Sequence, residues 1–164
     1  MPTTLANPAI SISAKATLTS GSPPAPVGAS LNHVPNFSLA AGNSAGNVDR
    51  CYAATFAVTA GTPLTINLAT ALDPLGNPMG IVHVTAVLVE NDSTTAGQDF
   101  TVGGGTHAVL GSDQFTAQAN GGAAMIANPN PGYAVTVGSA DTLTVSVASG
   151  AAVPGKITVL GRSA

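Results

Sequence analysis

Charge is what this chain most lacks: Asp, Glu, Lys and Arg make up 7 % of its 164 residues, against roughly 25 % in an ordinary soluble domain. Its four basic side chains, Lys15, Arg50, Lys156 and Arg162, are scattered along the chain. They form no clustered positive footprint of the kind that phosphate backbones require, so nucleic acid is not an expected partner. With a formal net charge of −3, little electrostatic repulsion keeps copies of the molecule apart, which points to a permanent assembly. Aromatic residues are also sparse. They make up 4 % of the chain, with no Trp, which leaves Tyr52 and Tyr133 as a poor platform for stacking a sugar ring. Cys51 stands alone, which excludes an internal disulfide. In the stretch CYAATFAV it reads as a buried structural thiol. The first residues, MPTTLANPAISISAK, show no basic segment leading into an apolar run, so no secretion signal is expected. The longest strongly apolar run, positions 81 to 89, is far short of the roughly 20 residues a membrane-spanning helix needs. The expectation is a soluble protein made in the cytosol.

What is present is Ala, Val, Thr, Gly and Pro in a definite order. Half of the 12 prolines fall in the first 35 residues, and TSGSPPAPVGAS at positions 19–30 reads as polyproline-like or irregular backbone. Residues 1–48 are therefore expected to be an extended Pro-rich N-terminal arm, and residues 49–164 one domain. Within the arm, AISISAKATL alternates so that Ile10, Ile12, Ala14, Ala16 and Leu18 share a face, a strand in need of a partner. From about Asp49 the chain becomes short period-two runs rich in Val, Ile and Thr, broken by DPLGNP, GGG, NGG and NPNPG turns. RCYAATFAV places Tyr52, Ala54, Phe56 and Val58 on one side, PLTINLA places Leu64, Ile66 and Leu68, and IVHVTAVLVE places Val82, Val84, Ala86 and Leu88. Strands at a spacing of about 8 to 12 residues predict an all-β sandwich or barrel. Only NLATALDPL approaches a helical period, and Pro74 ends it after one turn. The pattern Ala-Val-Thr-x-Gly, then Leu-Thr and Ile or Val, occurs in AVTAGTPLTI from 57 and again in AVTVGSADTLTV from 134. It reads as two hairpins of one kind in a sandwich of similar halves.

Few residues carry chemistry. GNSAG at 42–46 matches G-x-S-x-G formally, with Asp73 or Asp99 and then His107 following in hydrolase order. That chemistry needs a strained strand-to-helix turn at Ser44, whereas a strand-like run follows, so a plain loop is expected. His33, His83 and His107 are never at i, i+2 or i+4 from one another, and zinc binding is not expected. The loop ENDSTTAGQD brings Glu90, Asp92 and Asp99 together without the D-x-D-x-D-G calcium pattern. The same few acids are the only source of paired carboxylates for glycoside hydrolysis. No catalytic, cofactor-binding or metal-ligating residue is assigned.

Positions 49–164 do carry a resemblance. The order PLTINLATALDPLGNPMGIVHVTAVLVEN, VGGGTHAVL, AAMIANPNPGYAVTVGSADTLTVSV and a closing ITVLGRS resembles small virion proteins of tailed bacteriophages that decorate or cement a capsid. The resemblance implies a jelly-roll-like β-sandwich of about 8 to 10 short antiparallel strands, the count matching the spacing. It implies partners in the major capsid protein and in copies of the chain itself, commonly as a homotrimer, and a place on the capsid surface after assembly in the host cytoplasm. It brings no catalytic residue and no cofactor. The alternatives from other classes are a tail or fibre component reading a host-surface glycan through positions 90–99 and 118–132, and a small serine hydrolase using Ser44.

Overall fold

The computed structural model describes residues 9–11, 14–19, 28–33 and 36–164, with side chains from Leu39 onward. Among these residues every regular element is a strand. The first four are β1 (Ala9–Ser11), β2 (Ala14–Thr19), β3 (Gly28–His33) and β4 (Asn36–Ser38). β1 pairs with β4 and β2 with β3, both antiparallel, and the numbers of every paired couple sum to 47, from Ala9 with Ser38 to Thr19 with Gly28. One register thus relates both ladders, and the described strands of the arm pair in antiparallel fashion. The strand expected at 9–18 finds its partner in the same arm. The polyproline-like stretch expected at 20–27 and the shared face that includes Ile12 lie outside the described residues.

Residues 39–48 follow, with β5 (Ala40–Ala41) and β6 (Asn47–Val48) paired in parallel. Leu39 and Val48 are buried against Ala86 and Leu160, with Cys51 and Ala127 packed beside them. Composition draws the arm to residue 48, but these two apolar side chains cover one row of a sheet in the body.

That body has two sheets. Its strands are β7 (Arg50–Val58), β8 (Leu64–Asn67), β9 (His83–Asn91), β10 (Phe100–Gly103), β11 (Gln114–Ala117), β12 (Ala123–Ala127), β13 (Tyr133–Ala134), β14 (Thr142–Val147) and β15 (Val153–Arg162). Sheet I has the order β11-β10-β14-β8, and sheet II the order β12-β9-β15-β7, with β13 also on β9. Leaving aside the two-residue β13, the antiparallel pairs are nested: β7 with β15, β8 with β14, β9 with β12, β10 with β11. This is the pairing of one long hairpin rolled into a two-sheet sandwich.

Alternation puts one apolar side of each sheet inward. Along β14, Leu143, Val145 and Val147 are buried, and Thr142, Thr144 and Ser146 are half-buried. They meet Val87, Val89, Ile157 and Val159 of sheet II in a single core that also holds Phe100, Leu68 and Met79. Each such side chain, fully buried, contributes about 1.5–3 kcal/mol of transfer free energy. Tyr52, Ala54, Phe56 and Val58 face this core as the sequence predicts, and so do Leu64, Ile66 and Leu68.

β9 departs from simple alternation. Opposite it, Leu160 pairs with Ala86 but Gly161 pairs with Val84, so Thr85 is an extra residue in a bulge. The bulge turns the strand over: Val84, Val87 and Val89 enter the main core, Ala86 goes to the outer cluster, and Val82 and Leu88 stay out of both. The expected common face for Val82, Val84, Ala86 and Leu88 is therefore wrong, because one inserted residue exchanges the faces on either side of it.

The two AVTxG elements are not hairpins. AVTAGTPLTI leads from β7 in sheet II to β8 in sheet I, and AVTVGSADTLTV leads from β13 in sheet II to β14 in sheet I. Each crosses between the sheets on a tight turn, Thr62 N–H to Thr59 O at 2.9 Å and Ala140 N–H to Thr136 O at 2.8 Å, with Gly61 and Gly138 at positive φ. The strands they deliver, β8 and β14, lie side by side, Ile66 opposite Leu143 and Leu64 opposite Val145. The repeat encodes two crossings of the sandwich.

Gly155, in mid-β15, sits beneath the Phe56–Phe100 pair, whose ring centroids are 5.3 Å apart and inclined at 48°. A Cβ there would stand 2.5 Å from Phe100 Cε2 and 2.9 Å from Phe56 Cζ. Gly155→Ala is expected to force the rings apart and cost about 1–3 kcal/mol. A urea titration checks this, the midpoint falling while the slope m stays constant.

Candidate functional site

Ser44 lies exposed in the turn between β5 and β6, its carbonyl accepting from Asn47 N–H at 3.0 Å. A strand follows it, so the strand-to-helix turn that would present a nucleophile and an oxyanion site is not formed. His107 belongs to the β10–β11 connection of sheet I, at φ 59°. Asp73 is engaged in its own turn, where Oδ1 accepts from Leu75 N–H and Asn77 N–H, both at 2.8 Å. Asp99 Oδ1 accepts from Ala119 N–H at 2.8 Å. Ser44, Asp73, Asp99 and His107 thus stand in four separate connections, β5–β6, β8–β9, β9–β10 and β10–β11.

The acidic loop is also committed. Glu90 and Asp92 both meet Lys156 Nζ, at 3.3 and 3.2 Å. Their hydrogen bonds and charges hold the lysine above its usual pKa, though exposed pairs of this sort stabilise little. Beneath them the buried Asn91 donates to Gln98 O at 2.8 Å and Ala117 O at 3.1 Å, tying the loop down. Among the described residues no three His, Cys, Asp or Glu side chains gather as metal ligands would. His33 ends β3 and is not in a loop. Tyr52 and Tyr133 stand at opposite edges of sheet II, so they make no common platform. Cys51 is half-buried, and burial followed by the charge of Asp73 pushes its thiol pKa up, which favours the protonated form.

The segments behind the phage resemblance have structural work. In the closing Gly-Arg-Ser, Gly161 sits at the bulge, where a Cβ would stand 2.6 Å from His83 O. Arg162 is buried and donates to the carbonyls of Asn43, Pro131 and Ala164. Ser163 binds Asp49 through its N–H at 2.9 Å and its hydroxyl at 2.6 Å. In the second crossing, buried Asp141 accepts from Gly138 N–H at 2.8 Å and stands 3.9 Å from His107 Nδ1. Sequence reasoning passed over Asp141; its signal is an acid that closes a Gly-containing turn just before a strand.

Large exposed apolar side chains lie at one end of the sandwich. The exposed large hydrophobic residues among those described are Leu72 (52 %), Leu75 (75 %), Val82 (40 %) and Val137 (78 %). Leu72 and Leu75 lie in the loop after β8, whose start is fixed by Leu68 N–H to Asp141 O at 2.8 Å. Val137 tips the turn just before Asp141, and Val135 N–H reaches Val82 O at 2.8 Å. The four therefore share the end at which β8 finishes and β9 and β14 begin. Asp73 stands between Leu72 and Leu75 and Asp113 lies in the β10–β11 connection at the same end, so exposed apolar side chains and a few carboxylates share this surface.

Comparison of the chain with protein-family models, curated proteins and solved structures found no match.

His83, opposite Arg162 across the ladder, has a buried Nδ1 with no hydrogen-bond partner. Burial, and then the Arg162 charge, lowers its pKa below 6.5. The unfolded chain therefore binds a proton that the folded chain resists, so stability is full above pH 6.5 and declines as pH falls through that value. Thermal melts between pH 7.5 and 5.5 should show the melting temperature falling, and His83→Gln should flatten the fall. A wild-type melting temperature that is level or rises on acidification contradicts this.

Proposed function

We propose that this chain is a non-enzymatic virion protein of a tailed bacteriophage, which binds an assembled capsid and stabilises it as a decoration or cement protein. The observation that carries the reading is the apolar end formed by Leu72, Leu75, Val82 and Val137 on a sandwich with only 7 % charged residues. A lattice partner can bury these apolar side chains, and the Asp73 carboxylate among them already accepts N–H groups of its own turn. The nested two-sheet pairing supports the reading as an architecture shared by viral shell proteins, though lectins and cupins use it too. The sequence resemblance supports it as well.

Stabilisation acts by mass action: a protein that binds the closed shell and not its dissociated parts shifts the equilibrium toward the shell. The major capsid protein is the partner, and several copies acting together strengthen attachment through effective concentration. No catalytic turnover is involved.

Co-sedimentation with purified capsids from the source virus tests this. The wild type should pellet with intact shells and raise their disassembly temperature. Leu75→Asp combined with Val137→Asp should weaken binding by about tenfold or more, since a charge forced into an apolar contact must be desolvated. Its own melting should change little, because both positions are exposed. A chain that ignores shells and binds host-surface glycans would favour a tail or fibre component instead.

A further inference from the structure

We propose that β7 is a dimerisation edge, at which two copies pair their β7 strands antiparallel about a twofold axis centred on Ala54. Two independent observations carry this. The first is the unpaired edge itself. β7 is nine residues long and lies at the end of sheet II, and among the described residues its only ladder partner is β15. That ladder runs from Val58–Val153 to Arg50–Gly161 without a register shift, so the opposite edge is regular as well. The other edge strands, β8, β11 and β12, have four, four and five residues. Proteins protect long edges with Lys, Pro or bulges. β7 has none of these from Cys51 to Val58, and its one charge, Arg50, is already held by Asp49 at 3.4 Å and by the Met79 carbonyl at 2.6 Å.

The second observation is incomplete burial along that edge. Tyr52, Ala54 and Phe56 face the core yet are only half-buried, whereas Val87 and Val89 on the interior strand β9 are fully buried. A further strand beside β7 would complete the cover.

A second copy fits the edge. Antiparallel pairing centred on Ala54 keeps inner faces together, because even-numbered residues then oppose even-numbered ones. Tyr52 falls opposite the partner's Phe56, an aromatic cross-strand pair of the stabilising kind. Ala53 falls opposite the partner's Thr55 on the outer face, where the exposed Ala53, Thr55 and Ala57 present no bulk. Arg50 lies opposite the partner's Val58, so the two guanidinium groups sit at opposite ends of the seam. Sheet II and its copy then form one continuous sheet, β12-β9-β15-β7 followed by the same strands in reverse. Such an interface is isologous and closes at two, unlike the threefold assembly the phage resemblance implies. It does not depend on the capsid reading, and its test uses no capsid.

The test is solution mass by light scattering across a concentration series, with hydrogen exchange read at the β7 amides of the full chain. The expected result is a dimer in which the β7 amides that do not bond β15 lose protection on dilution in step with dissociation. Ala53→Lys with Ala57→Lys, at two exposed positions, should weaken the dimer by about a hundredfold or more by lining the seam with like charges. The variant's melting temperature should match that of wild-type monomer. A wild type that is monomeric throughout or trimeric, outward-pointing β7 amides unprotected in a dimer, or a dimer that survives the double substitution would overturn the proposal. The wild-type exchange data decide the matter even if the variant fails to fold.

Discussion

Strand β15 is hydrogen-bonded on both sides, to β7 and to β9, and the rest of the sandwich depends on its fitting between them. It contributes Val153, Ile157 and Val159 to the core. It omits a side chain at Gly155, where the Phe56 and Phe100 rings meet. Leu160 takes part in the outer cluster, and the chain ends in a clasp made by Arg162 and Ser163. Because the pairing is nested, the first and last body strands must meet before sheet II is complete. Long-range pairing of this sort is closed late and at high loop entropy.

The scarcity of charge is understandable in that frame. Asp49, Asp73, Asp99 and Asp141 each accept a backbone N–H that a turn or chain end would otherwise leave unpaired. Lys156 holds Glu90 and Asp92, and Arg162 caps three carbonyls. An unmet buried polar group costs about 1–3 kcal/mol, so these few ionisable side chains are spent on architecture. Among the described residues, the apolar side chains around Leu75 and Val137 and the outer edge of β7 are left uncovered.

The strands were largely legible. Val, Ile and Thr in period two, punctuated by Gly and Pro, marked β7 and β8 with the correct inward faces. The bulge at Thr85 was not legible, since nothing in IVHVTAVLVE distinguishes an inserted residue from an alternating one. Nor did AVTAGTPLTI reveal that its two strands belong to different sheets: a tight turn with Gly at positive φ serves a hairpin and a crossing equally well. The apolar end was hidden for a similar reason. Leu72, Leu75, Val82 and Val137 lie in three separate stretches, and only the pairing of β8 with β14 and the contact from Val135 to Val82 bring them together.

By itself the sequence determined the all-β class, the near absence of charge, the lone thiol and the turn positions, because these follow from composition and local backbone preference. Tertiary structure alone decided the nested order of the strands, the reversal of faces along β9, the pairing of the arm's described strands and the placing of exposed apolar residues at one end. Those depend on which distant segments pair, and pairing is settled by the joint burial of side chains far apart in the chain.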